Sequence, residues 1–307
     1  MAGHIFIHIG PPKTATTSLQ VAAERLRDHR YYYAGTFQPR PRNSDSIAQQ
    51  LHRACSSGDK EQGYRAIKEL REQCDSGKTA FLSEEMFLVH SRGASWQEKL
   101  AELHSLLADA PVTILVTLRR PTDALPSLYQ ELFRGLPLSQ KLNFDSFCRN
   151  RYASCFDYDY LQSEIRSAGF CRVRWIDFTR LTSSSLSTRD VFGPDSGLKL
   201  STLDVGWENR GKTGEGTNHR QLPSVTLKNL ADARGARWLI DRTLRRDSRL
   251  RKMLSKSAEQ LSLRGARQTK LVVPKDVGER LDKIYLQHLA EECRPIGLTS
   301  HDMAGAT

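Results

Sequence analysis

The sequence predicts an α/β fold in which helices flank a central parallel sheet. Four runs carry that expectation: HIFIHI at 4–9, TAFLS at 79–83, VTILVTL at 112–118 and RVRWID at 172–177. Each is continuously or nearly continuously apolar, the pattern of strands covered by helices on both faces. Between them apolar residues recur at helical spacing, so strand and helix alternate as in βαβ units.

Taken in order, the first strand gives way at Gly10 to the loop GPPKTATT, after which Leu19, Ala22, Ala23 and Leu26 form one helical face. His4 and His8 alternate within that strand and read as packed or edge residues. Further helices are expected at 46–55, at 61–74 through Tyr64, Ile67, Leu70 and Cys74, and at 96–108 through Trp96, Leu100, Leu103 and Leu107. After the strand at 112–118, Pro121 suits the first position of a helix, where no N–H is needed. Residues 182–200 are rich in Ser, Gly, Asp and Pro and read as a surface connection. The chain is then polar and basic to about residue 256, and a last helix is expected at 275–293. There is no internal repeat. A single domain over 1–307 follows, with a core at about 1–180, a variable basic and helical part at about 181–270, and the closing helix.

The chain has 307 residues, 38% of them hydrophobic and 26% charged. That composition suits a soluble globular protein with a sizeable core and argues against disorder. The formal net charge of +11 points to phosphate, sulfate, carboxylate or an anionic surface as partner, and says nothing of the fold. Six cysteines form no C-x-x-C pair, so no tetrahedral zinc site is expected and the thiols are expected reduced and mostly buried. No run approaches the roughly 18 apolar residues of a membrane span, and a strand starts almost at once. A cytoplasmic location is the expectation.

The loop after the first strand carries the chemistry. In an open parallel sheet ligands gather at the carboxyl ends of strands, where the next helix presents free N–H groups and a positive dipole end. Lys13 adds a mobile cation there, and Thr14, Thr16 and Thr17 add hydroxyls. A Walker A loop, G-x-x-x-x-G-K-[ST], would need glycine and lysine where Ala15 and Thr16 stand. The bland alternative is an ordinary turn whose Thr17 or Ser18 merely caps the helix.

LRRPTDALPSLY at 118–129 repeats the arrangement at a second strand end. Arg119 leaves the strand and Ser127 lies two turns into the helix, so the two converge on one phosphate only if the loop folds Arg119 back. The alternative is a surface ion pair of Arg119 or Arg120 with Asp123, worth little.

PKTATT together with R-x-P-x-D-x-x-x-S-x-Y, in this order and about one hundred residues apart, resembles the 5′-phosphosulfate loop and the 3′-phosphate element of the sulfotransferases that use 3′-phosphoadenosine 5′-phosphosulfate, in their bacterial form. The resemblance covers residues 1 to about 180, and more weakly the last helix. It implies a P-loop NTPase-like three-layer sandwich with a helical C-terminal part, and transfer of a sulfuryl group to a hydroxyl of a carbohydrate, lipid or small-metabolite acceptor without a metal. By the same resemblance Lys13 approaches the oxygen bridging phosphate and sulfate. Thr16 and Thr17, with backbone N–H groups from Thr14 and Ala15 onward, hold the 5′-phosphate, and Arg119 and Ser127 hold the 3′-phosphate. Relatives commonly place a glutamate after the strand at 79–83, which makes Glu85, then Glu84, the candidate base. Both being solvated or capping the next helix is the alternative, with His52 and His90 in reserve. Ala15 replaces the usual glycine, and Ser18 stands where cytosolic relatives have tryptophan, which leaves the adenine-stacking residue unassigned. NRGKTGEGTNHR at 209–220 offers Arg210 and Lys212 as a late loop over the 3′-phosphate.

Residues 234–256 have a basic amphipathic pattern that suits an anionic surface or an ordinary charged helix face. Two rival functions stand beside the sulfotransferase. One is a P-loop-type nucleotide kinase, which needs Mg²⁺ and the missing G-K-[ST] core. The other is a non-catalytic basic protein binding glycan or nucleic acid, which leaves both strand-end loops unused. Nucleic acid is not the expected partner.

Overall fold

The structure is a computed structural model that describes residues 3–39, 45–91, 93–107, 110–182, 186–205 and 271–292. Two compact units divide it: the described residues of Met1–Arg120, Cys155–Lys212 and Leu281–Thr307 form the first, and those of Pro121–Ser154 and Thr213–Arg280 the second.

The first unit is built on five parallel strands, β1 (Ile5–His8), β2 (Tyr31–Tyr33), β3 (Thr79–Ser83), β4 (Val112–Leu118) and β5 (Val173–Asp177), in the order β2-β3-β1-β4-β5. Every residue of β1 and β3 is buried, as continuous apolar runs require when both faces are covered. Its helices are α1 (Thr16–Arg25), α2 (Ile47–Ser57), α3 (Lys60–Asp75) and α4 (Trp96–Leu107), with α1, α2 and α3 against β3. One face carries Phe6, Phe81 and Leu115 into a cluster with Leu19, Ala22 and Ala23 of α1. Burying such large side chains contributes about 1.5–3 kcal/mol each.

The second unit opens with α5 (Pro121–Leu132), which starts at the expected proline and keeps Pro126 within it, followed by the short α6 (Leu138–Leu142) and α7 (Phe144–Cys148). Tyr129 is fully buried between the rings of Phe133, Phe144 and Phe147, and its hydroxyl donates toward the carbonyls of Gln140 and Lys141. The chain returns to the first unit through α8 (Tyr158–Ser167), α9 (Phe178–Thr182) and α10 (Thr188–Phe192), and α11 (Lys275–Glu292) is its last described helix.

The four anticipated strands and the helices at 46–55, 61–74, 96–108 and 275–293 form within one or two residues of their expected bounds. Three local expectations are corrected. β2 was not anticipated, because three tyrosines at a sheet edge make no apolar run. Residues 182–200 are not a plain surface connection: Val191 and Phe192 of α10 join the sheet's core behind a Ser187–Asp190 capping box, which polar neighbours hide in the sequence. Tyr64 is exposed, and α3 turns Gly63 inward instead. A Cβ there would come within 2.8 Å of the Leu106 side-chain tip and 3.1 Å of the Ala54 Cβ, so the absence of a side chain at Gly63 eases the close approach of the neighbouring helices.

Among the described residues no helix is long and apolar enough to cross a membrane. The five described cysteines are free thiols, four buried and Cys171 exposed.

Candidate functional site at the carboxyl ends of the strands

β1 lies between β3 and β4, and β2 and β5 form the two edges. Chain order reverses direction at β1, which is where open α/β sheets leave a crevice for ligands. The segments leaving β3, β1, β4 and β5 supply, in that order, Glu84 and Glu85, the loop at 10–15, Arg119, and Phe178.

The loop is held in a conformation rare for its residues. Lys13 and Ala15 both have positive φ, 70° and 61°, which costs L-residues roughly 1–2 kcal/mol each. Such strain persists where the surroundings enforce it, and clusters at ligand clamps. Thr14 is buried and donates to the carbonyl of Pro11 at 2.6 Å. Ala15 is the N-cap of α1 and provides no side-chain cap, so neither Thr17 nor Ser18 plays the capping part weighed from the sequence. The first amides of α1 are left to other acceptors, the arrangement that suits an anion. Thr16 is 3% exposed, and its hydroxyl is buried with no hydrogen-bond partner among the described residues. Buried orphan hydroxyls are uncommon, and a ligand oxygen is one explanation. Thr17 stays half-buried at the helix start.

Arg119 comes back onto this loop. Its guanidinium donates to the carbonyl of Lys13 and lies 4.6 Å from the centre of the Phe178 ring. Tyr158, fully buried on α8, fixes its backbone twice: the phenol donates to the Arg119 carbonyl at 2.7 Å and accepts from its N–H at 2.9 Å. Arg120 pairs with Asp282 at 2.7 Å.

The two glutamates after β3 differ. Glu84 is 1% exposed, accepts from Thr36 Oγ1 at 2.9 Å, and accepts from the Met86 N–H as cap of a single 3-10 turn, Glu85–Leu88. Lys99 of α4, fully buried, donates to the Met86 and Val89 carbonyls of the same turn. Burial lowers its pKa to about 8, against the opposing pull of Cys55 and Glu84. Glu84 and Lys99 thus complement the two ends of the turn, and Glu85 is carried half-buried as its first residue. The reserve histidines lie about this turn: His52 sets its ring edge-on to Phe87 at 5.8 Å, and His90 follows the turn half-buried.

His8 is neither an edge residue nor simply packed. Its Nδ1 is 2.8 Å from Ser83 Oγ and its Nε2 2.9 Å from Thr117 Oγ1, so it joins β1 to both neighbours beneath the loop. Burial lowers its pKa to about 3.

The structure therefore brings Lys13, Thr14, Ala15, Thr16, Thr17, Glu84, Glu85 and Arg119 to one edge of the sheet. Ser127 lies half-buried on α5 in the second unit. Arg210, Lys212 and the basic segment 234–256 lie outside the described residues. Sequence reasoning missed Phe178, Tyr158 and Lys99. Phe178 had a signal, an aromatic directly after a strand, whereas Tyr158 and Lys99 act through contacts with residues far away in the chain. No family model matches the sequence, and no curated protein does.

Proposed function

We propose that the protein is a sulfotransferase of P-loop-like fold that takes 3′-phosphoadenosine 5′-phosphosulfate as donor and a hydroxyl-bearing carbohydrate, lipid or small metabolite as acceptor. The observation that carries this reading is the contact of Arg119 with the Lys13 carbonyl, which is compatible with one nucleotide meeting both Arg119 and the first loop. The uncapped first turn of α1 and the unpartnered Thr16 hydroxyl fit a 5′-phosphate held by residues 14–17.

In the reaction the acceptor oxygen attacks sulfur in line as the bond from sulfur to the bridging oxygen breaks. Adenosine 3′,5′-bisphosphate leaves, and the acceptor's proton passes to Glu85. Negative charge grows on the bridging oxygen, where the Lys13 ammonium stabilises the transition state more than the ground state. Glu84 caps the turn and accepts from Thr36 in a buried setting, and the register of the resemblance after the strand favours Glu85 as the base. The free thiols fit a reducing cytoplasm.

Calorimetric titration with adenosine 3′,5′-bisphosphate and with ATP, each with and without Mg²⁺, tests the proposal. Metal-independent preference for the bisphosphate is expected; preference for Mg·ATP would move the assignment to a nucleotide kinase.

A further inference from the structure

We propose that His8 is a positioning residue for the anion-binding loop, clamping the ends of β3, β1 and β4 through Ser83 and Thr117 and holding the loop in its strained conformation by direct packing. Its ring occupies the position one rung beyond Phe6, on the face that carries Phe81 and Leu115 into the core. An apolar side chain would serve packing alone at that place; a histidine bonded on both sides, at 2.8 Å and 2.9 Å, does more.

Three features tie this clamp to the loop. A Cβ on Gly10 would lie 2.6 Å from His8 Nε2 and 2.9 Å from Thr14 Oγ1, so the loop leaves the strand in contact with the imidazole and with its own internal hydroxyl. Ser83 is shared: its hydroxyl meets His8, while its carbonyl accepts from Gln20 Nε2 at 2.9 Å. Gln20 belongs to α1, on the far side of the loop, and its Oε1 accepts from Gln38 at 2.6 Å. One residue of β3 therefore anchors the strand before the loop and the helix after it. Between those anchors Lys13 and Ala15 keep positive φ, a state that lasts only when the surroundings over-determine it. Buried and neutral, the imidazole offers one donor and one acceptor, and its two hydroxyl partners can satisfy both, so the network rigidifies the site.

The importance of this clamp for ligand binding rests on the proposed nucleotide function; its effect on the loop does not. The test uses the full-length chain with His8→Leu, which keeps bulk and loses both bonds, and His8→Gln, which keeps donor and acceptor capacity. Amide hydrogen exchange at residues 10 and 13–17 is followed without ligand, and adenosine 3′,5′-bisphosphate affinity by calorimetry. In His8→Leu the loop amides are expected to exchange about tenfold faster and affinity to fall about tenfold, the scale of one lost buried hydrogen bond. His8→Gln is expected to restore most of both. Should His8→Leu fail to fold, Thr117→Val, which spares the Ser83 bond, is expected to shift both readouts in the same direction. Unchanged loop exchange in the folded variants, or equal impairment by Gln and Leu, would overturn the role of His8. A wild-type chain that binds no bisphosphate would overturn the nucleotide function instead, and the exchange comparison would still decide the clamp.

Discussion

Lys13, Glu85 and Glu84 separate three effects that single substitutions can resolve. In the proposed transfer, Lys13→Ala takes the cation away from the developing charge and is expected to lower turnover by about 10²–10³, with the fold intact because the side chain is only half-buried; steady-state kinetics beside thermal unfolding checks both parts. Glu85→Gln is expected to lower turnover by about 10²–10⁴, the usual share of a general base, at near-normal stability. Glu84→Gln should behave in the opposite way, because its carboxylate caps the turn and accepts the Thr36 hydroxyl in a buried setting. A stability loss of about 1–3 kcal/mol is expected there, measured by chemical denaturation. If Glu84→Gln is stable and inactive while Glu85→Gln is active, the two roles are reversed.

At the scale of elements, the strand ends are held by side chains from other elements. α8 contributes through Tyr158, whose phenol both donates to and accepts from the Arg119 backbone. Tyr158→Phe leaves the ring in place, and is expected to cost about 1–3 kcal/mol of stability and to weaken bisphosphate binding; unchanged affinity with lowered stability would confine Tyr158 to the fold. The elements themselves were largely legible. β1, β3, β4 and β5 are apolar runs, and α2, α3, α4 and α11 repeat at helical spacing, because burial on both faces of a sheet or on one face of a helix writes directly into sequence. Lys13 and Arg119 were legible for another reason: Arg119 directly follows such a run and Lys13 stands in the short loop after one, and strand ends are where open sheets gather ligands. β2 was not legible, since an edge strand of three tyrosines needs no continuous apolar run, and α10 was hidden by short polar neighbours. Lys99, Tyr158 and the bonding of His8 were beyond reach from sequence, for each depends on which distant backbone group a side chain meets.

For the molecule as a whole, His8 links the site to acid stability. Its folded pKa of about 3 lies below the ordinary 6.5, so between these values the unfolded chain binds a proton that the folded one refuses. The stability that His8 contributes is full above about 6.5 and is lost as pH falls toward 3. Denaturation of the wild type and of His8→Gln across pH 7 to 4 checks the sign: the wild type should lose more stability, and parallel curves would contradict it. The net charge of +11 acts at the same scale. It favours approach of a polyanionic nucleotide, so the bisphosphate on-rate should drop with added salt, as stopped-flow mixing can read. Joint grip of one nucleotide by two strand-end loops is the central claim, and a crystal structure of the full chain with adenosine 3′,5′-bisphosphate tests it most directly. The 5′-phosphate is expected on the amides of residues 14–17 and the 3′-phosphate on Arg119, whereas a nucleotide seated elsewhere, or touching only one of the two loops, would contradict it.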